Sequence, residues 1–206
     1  MTFRQELASW WSPGRLQTAQ VPEIGTNAPT SDRLKLPAAD TKPTLITFLR
    51  HCGCPFAEKT FRAFRAAAES HPDLHFTAVS HSDTEATDKW LASVDGAGKV
   101  QVIVDAERKL YAQWGLGVSS FWHVLNPWSL WSVYKTGKEE GIWNKPTESG
   151  NRWQTAGSFA VDKEGLIKWG KRAGTADEAA DFDQAVQAVT AWLDTALPHR
   201  HSSTAK

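Results

Sequence analysis

The chain has 206 residues, with 23 Lys plus Arg against 23 Asp plus Glu. That length fits one domain with terminal extensions and can bury a substantial core without staples. The balanced charge gives no electrostatic reason to expect nucleic acid or an anionic membrane surface as a partner, and no run of about 18 apolar residues predicts a transmembrane helix.

In chain order, a short helix is expected around Thr2–Trp11. An extended arm rich in Pro and Thr leads from it into the domain. The N-terminus carries Glu6 and lacks a continuous apolar stretch, so it does not read as a secretory signal and a cytoplasmic location is expected. The expected organisation is an N-terminal helix and arm over 1–25, one domain over 26–197 and a frayed tail over 198–206.

The run Thr44–Arg50 is β-branched, apolar and nearly continuous, as suits a strand buried on both faces. Pro55 marks the first turn of a helix with Phe56, Phe61, Phe64 and Ala68 at helical spacing, and Glu58 reads as an exposed charge on it. Leu74–Ser80 is a second strand. Asp83 to Val94 is a helix capped by Ser82 or Asp83. Val100–Val104 is a third strand, and Asp105 opens a helix that stops at Gly115–Gly117. The order β-α-β-α-β-α predicts an α/β sheet with parallel neighbours.

Residues 118–156 break the pattern. A dense aromatic stretch, including Phe121, Trp122, Trp128, Trp131 and Tyr134, is interrupted by Pro127 and followed by a polar loop from Lys135 to Arg152. Ser158–Val161 and Leu166–Trp169 read as a β-hairpin around a turn with Gly165 in a left-handed position. Asp177–Leu197 closes the domain as a helix.

Chemistry centres on Cys52-Gly53-Cys54, the only cysteines. They are too few for a disulfide framework. With His51 they offer three crowded ligands where a structural zinc needs about four, so no metal is expected. Cys54 precedes Pro55 at the expected helix start, where unpaired N–H groups and the helix dipole favour thiolate, the reactive form. Arg50 and His51 flank the turn as candidate sources of positive charge. Cys52 reads either as a second redox thiol or as a small buried residue. His81, at the end of the second strand, and Arg152 are candidates to face the site. The aromatic stretch, with Trp122, Trp143 and Trp153, reads as packing over the sheet, as the wall of an apolar pocket or as a dimer face.

The segment FLRHCGCPFAEKTF resembles the cysteine motif of peroxiredoxin-like proteins in the alkyl hydroperoxide reductase and thiol-specific antioxidant class. NAPTSDRLKL, DAERKLYAQWGLG and GSFAVDKEGLIKW resemble that class's entry segment, third-strand helix and late hairpin. The resemblance implies a thioredoxin-like α/β fold: a central mixed sheet flanked by helices, with a Trp-rich insertion before the hairpin. It implies a thiol oxidoreductase in which Cys54 is the reactive position and Cys52 a candidate resolving thiol. Arg50 and His51 would assist, and Arg152, His81, Trp122 and Trp153 would bind substrate. The implied partners are a peroxide, disulfide or hydrophobic organic substrate and a thiol reductant such as glutathione or thioredoxin, with a homodimer as a further expectation and no cofactor required. His51 stands where the class carries Thr, and Ala156-Gly157-Ser158 stand where it carries a late Arg. Two other readings keep the fold: a cofactor-free tailoring or isomerising enzyme with an aromatic pocket, and a non-catalytic binding protein.

Overall fold

The computed structural model describes residues 9–10, 14, 16–119 and 127–196. A five-stranded sheet has the order β3-β2-β1-β4-β5. Its strands are β1 (Thr44–Phe48), β2 (His75–Ser80), β3 (Gln101–Val104), β4 (Gly157–Val161) and β5 (Ile167–Arg172). β1 pairs parallel to β2, and β2 parallel to β3, whereas β4 and β5 run antiparallel. The helices among the described residues are α1 (Pro55–Ser70), α2 (Thr84–Ser93), α3 (Lys109–Gln113), α4 (Pro127–Glu140) and α5 (Phe182–Ala196). This is the thioredoxin-like mixed sheet expected from the sequence.

β1 is the central strand, and every one of its residues is buried. Alternation along the strand divides the core in two. Leu45 and Leu49 join Phe61, Phe64, Phe76, Trp90, Val186 and Val189 on the face covered by α1, α2 and α5. Ile46 and Phe48 join Val79, Tyr111, Trp114 and Phe159 on the other face. Burying so much aromatic surface on both sides of one strand fixes where its carboxyl end lies, and that end feeds directly into the cysteine turn.

Three helix expectations are corrected. The segment expected as a loop from Lys135 instead continues α4 to Glu140, and Pro127 starts that helix, as its fixed φ and missing N–H permit at a first turn. Gly137 makes room on α4: a Cβ there would lie 2.4 Å from the ring of Trp143. α3 is shorter than expected, because Asp105 stands upstream and reaches into the helix instead of beginning it. α5 begins at Phe182, with Asp181 accepting the Gln184 N–H at 3.0 Å. The predicted helix over Thr2–Trp11 and the side chain of Trp122 lie outside the described residues, apart from Ser9 and Trp10. No described helix is long and apolar enough to cross a membrane.

Asp105 is fully buried and accepts the backbone N–H groups of Lys109 (3.2 Å), Leu110 (2.8 Å) and Tyr111 (3.2 Å), while pairing with Arg33 at 3.2 Å. Asp105→Ala leaves these donors unmet. It is expected to cost about 2–4 kcal/mol, read as a lower urea midpoint at unchanged slope. α3 in turn positions Tyr111, whose hydroxyl lies 2.7 Å from the carbonyls of both Leu49 and Val79 and donates its one proton between them. That contact ties the ends of β1 and β2 together immediately before the cysteine turn.

Candidate active site

The turn leaves β1 through Leu49 and Arg50, and α1 begins at Pro55 with Cys54 as its N-cap in an extended conformation. No side chain caps the helix. The Cys54 N–H donates to the His51 carbonyl at 3.1 Å, closing the turn, and the Cys54 carbonyl accepts the Glu58 N–H at 3.1 Å. The thiol group thus belongs to the residue where the free N–H groups and the positive end of a 16-residue helix converge. Gly53 is required by two features. Its φ is +98°, and a Cβ on it would come within 2.9 Å of the Pro146 carbonyl oxygen.

Pro146 belongs to a loop that closes over the turn. The Lys145 N–H donates to the Gly53 carbonyl at 2.9 Å. Farther along, Ser82 Oγ accepts the Cys52 N–H at 3.1 Å and donates to the Ser149 carbonyl at 3.1 Å, and His81 Nε2 lies 3.0 Å from the Asn151 carbonyl oxygen and 3.1 Å from the Asn151 nitrogen. The sequence reading missed these lid contacts, as it missed the hydroxyls of Ser80, Ser82 and Thr87 around Cys52. The run Ser80-His81-Ser82 at a strand end was the available signal.

Both thiols are free and buried, but their surroundings differ. Cys52 packs into the core cluster with Phe61 and Trp90. Its Sγ lies 3.7 Å from Ser80 Oγ and 3.9 Å from Thr87 Oγ1. Burial pushes the Cys52 thiol up, only partly opposed by hydrogen bonds from Ser82, Ser80 and Thr87. Cys52 also lines a cavity of about 220 Å³ with Trp90, Lys89, Lys145 and Pro146.

The structure brings Arg50, His51, His81 and Arg152 into one neighbourhood. His51 is 2 % exposed and its pKa falls well below the ordinary value, first through burial and then through the nearby charge of Arg50. Burial and the neighbouring guanidinium thus favour the neutral form of the His51 ring. His81 falls to about 4, chiefly through burial. Arg50 is the permanent cation at the strand end, with Nη2 donating to the Arg152 carbonyl at 2.7 Å.

Arg152 and Trp153 both contact the N-terminal segment. Arg152 Nε donates to Ser9 Oγ at 3.0 Å, and its guanidinium lies over the Trp10 ring at 4.7 Å. Trp153 Nε1 donates to the Trp10 carbonyl at 3.0 Å, and the two indoles meet edge to face at 6.2 Å. Both side chains anchor the N-terminal segment. Glu58 is a further correction: it is buried, held by Arg62 at 2.8 Å and by Lys145 at 3.1 Å, so it fastens the lid loop to α1. Among the described aromatics of the insertion, Trp131, Tyr134 and Trp143 are exposed. No cluster of His, Cys, Asp or Glu that could hold a metal ion occurs among the described residues.

A parallel β-α-β unit whose central strand delivers a cysteine to a helix N-terminus, completed by an antiparallel hairpin, is a thioredoxin-like arrangement. The family model described as "AhpC/TSA antioxidant enzyme" matches residues 64–174, just over half of the chain, and the protein belongs to that family. The matched span begins after both cysteines, so the assignment does not depend on them. Among solved structures, the fold is similar to a peroxiredoxin-like protein from Aquifex aeolicus, with 16% identity, a TM-score of 0.53 and coverage of 84% of this chain and 95% of that one. It is similar also to AhpC from Mycobacterium bovis, with 14% identity, a TM-score of 0.51 and coverage of 89% and 99%. A third likeness is to the yeast mitochondrial 1-Cys peroxiredoxin, described with a thiol-resolving mechanism via glutathione/thioredoxin systems, with 14% identity, a TM-score of 0.53 and coverage of 84% and 77%. At these identities the likeness is one of fold. Comparison with curated protein sequences returned no match.

Proposed function

We propose that the protein is a thiol peroxidase in which Cys54 is the reactive residue. The observation that carries the reading is the place of Cys54 as N-cap of α1 at the carboxyl end of the central strand, in a chain of the AhpC/TSA family. The Cys54 thiolate attacks one oxygen of a hydroperoxide. The O–O bond breaks, Cys54 becomes sulfenic acid, and the leaving alkoxide or hydroxide takes a proton from solvent. A first reductant thiol condenses with the sulfenic acid, releasing water and leaving a mixed disulfide. A second thiol breaks that bond, releasing the oxidised reductant and restoring Cys54.

Cys52 has a subordinate role in this reading. Burial keeps it protonated at neutral pH, and its sulfur sits among hydroxyls of β2 and α2. Resolution therefore falls to an external thiol such as glutathione or thioredoxin, as the yeast 1-Cys relative illustrates. Peroxide is the substrate class, and no metal or organic cofactor enters the cycle.

The test is mass spectrometry of both cysteines after one equivalent of hydrogen peroxide, with a sulfenic-acid trap present. The expected product is trapped sulfenic acid on Cys54, with Cys52 unmodified. Unchanged mass at both residues sinks the peroxidase reading, and a Cys52–Cys54 disulfide as the first product sinks the assignment of resolution to an external thiol.

A further inference from the structure

A cavity of about 310 Å³ lies between the N-terminal arm at Leu16 and Thr18, the segment after α3 from Gly115 to Val118, and Arg172 at the end of β5. Its surface is mostly polar, and its lining holds two arginines, Arg108 and Arg172, and no carboxylate. Leu116 and Gln154 also line it but are each 1 % exposed, so the polar surface open to a ligand belongs to the arginines, Thr18 and the backbone. Strand register turns Arg172 toward this cavity. Arg172 is the partner of Gly157 across the β4–β5 pair, on the face of the sheet that Phe159 shares with Trp114 and Leu116. Gly157 keeps that place open, since a Cβ there would lie 3.0 Å from Leu116 Cδ2. The Arg172 side chain is exposed, and among the described residues its guanidinium has no hydrogen bond or ion pair. Arg108 is half-buried, and its Nη2 donates to the Gly14 carbonyl at 3.0 Å, which holds the guanidinium against the arm. Its Nε and Nη1 stay open to solvent. Asp105, whose charge reaches Arg108, is already engaged by Arg33 and by three N–H groups of α3.

Two guanidiniums on one cavity, without an acidic partner, repel each other, and an anion between them removes that repulsion. Arginine suits phosphate, whose oxygens accept its paired N–H groups, and two arginines match a dianion. The cavity is larger than a phosphate group and its walls are polar, so the rest of the ligand is polar too. We propose that it binds a small polar phosphomonoester, with the phosphate between Arg108 and Arg172 and the body toward Thr18 and the backbone of Gly115 and Gly117. The site rests on these two arginines and is independent of the thiol chemistry proposed above.

The test is isothermal titration of the full chain at low salt with glucose 6-phosphate and, separately, with inorganic phosphate, glucose and malonate. Glucose 6-phosphate is expected to bind most tightly and inorganic phosphate more weakly, with malonate weaker still and glucose not at all. Arg172→Gln and Arg108→Gln are each expected to weaken glucose 6-phosphate binding at least about tenfold. Cys54→Ser is expected to leave that affinity unchanged, so loss of peroxide turnover with retained binding concerns the thiol reading alone. Absence of glucose 6-phosphate binding overturns the proposal, as does unchanged affinity in Arg172→Gln. Malonate or glucose bound as tightly as the phosphate ester overturns it as well. The ligand comparison needs no substitution, and Arg172 is exposed, so the test stands even where an Arg108 variant fails to fold.

Discussion

Cys54→Ser is expected to lower peroxide turnover at least about a thousandfold, as removal of a covalent nucleophile does, while leaving the fold intact. Serine is a preferred N-cap residue, and Cys54 makes no side-chain cap bond that would be lost, so stability is expected to hold or rise slightly. What disappears is the sulfur nucleophile: an alcohol oxygen does not attack a hydroperoxide as sulfur does. Cys52→Ser serves as the comparison. Its sulfur lies among the Ser80 and Thr87 hydroxyls and is kept protonated by burial, so turnover with an external thiol is expected to stay within a few-fold of the parent. Steady-state peroxide consumption with glutathione or thioredoxin as reductant reads both variants. Full turnover in Cys54→Ser with loss in Cys52→Ser would exchange the roles of the two residues.

The asymmetry between the thiols shows which parts of the site were written in local sequence. The position of Cys54 at the helix start was legible because it follows from one junction: an apolar β-branched run, a turn, and a proline that sets a helical first turn. The hairpin was legible for the same reason, and Gly165 does adopt a positive φ of +87°. Cys52 was not legible, because its environment is assembled from Ser80, Thr87 and the 145–152 loop, which come from distant stretches of chain. Contacts of that kind leave no periodic trace. Glu58 illustrates the limit. Helical spacing placed it beside wet-side residues, and only the arrival of Lys145 makes its burial tolerable.

Arg50 and Arg152 carry the same lesson for charge. From sequence, Arg50 read as a source of positive charge at the turn and Arg152 as a candidate to bind substrate. In the structure, Arg152 is engaged by Ser9 and Trp10, residues far away in the chain, whereas Arg50 is buried with donors unmet. The aromatic insertion divides likewise. Pro127 read as an interruption because its neighbours are aromatic, yet it is the first residue of α4, and Trp131 and Tyr134 on that helix remain exposed.

Acid is expected to destabilise the protein steeply through His81. Its pKa is about 4 in the folded chain against 6.5 for the free side chain, chiefly because burial penalises the charged ring. Between these values the unfolded chain holds a proton that the folded chain refuses. Stability from this group is therefore fully present above pH 6.5 and is lost as pH falls toward 4, by about 3 kcal/mol in all. His51, also depressed by burial, acts in the same direction. The structural cause is specific. His81 Nε2 lies against the Asn151 backbone under the lid loop, and Nδ1 is buried without a hydrogen-bond partner, so the second ring proton of the charged form finds no acceptor in place of water. His81→Gln keeps an acceptor near that position and cannot titrate. Urea unfolding at pH 7 and pH 4.5 is expected to show a stability difference about 2–3 kcal/mol smaller in His81→Gln than in the parent. Carboxylates titrate equally in both proteins and cancel in the comparison. Parallel pH profiles for the two would sink this account of His81.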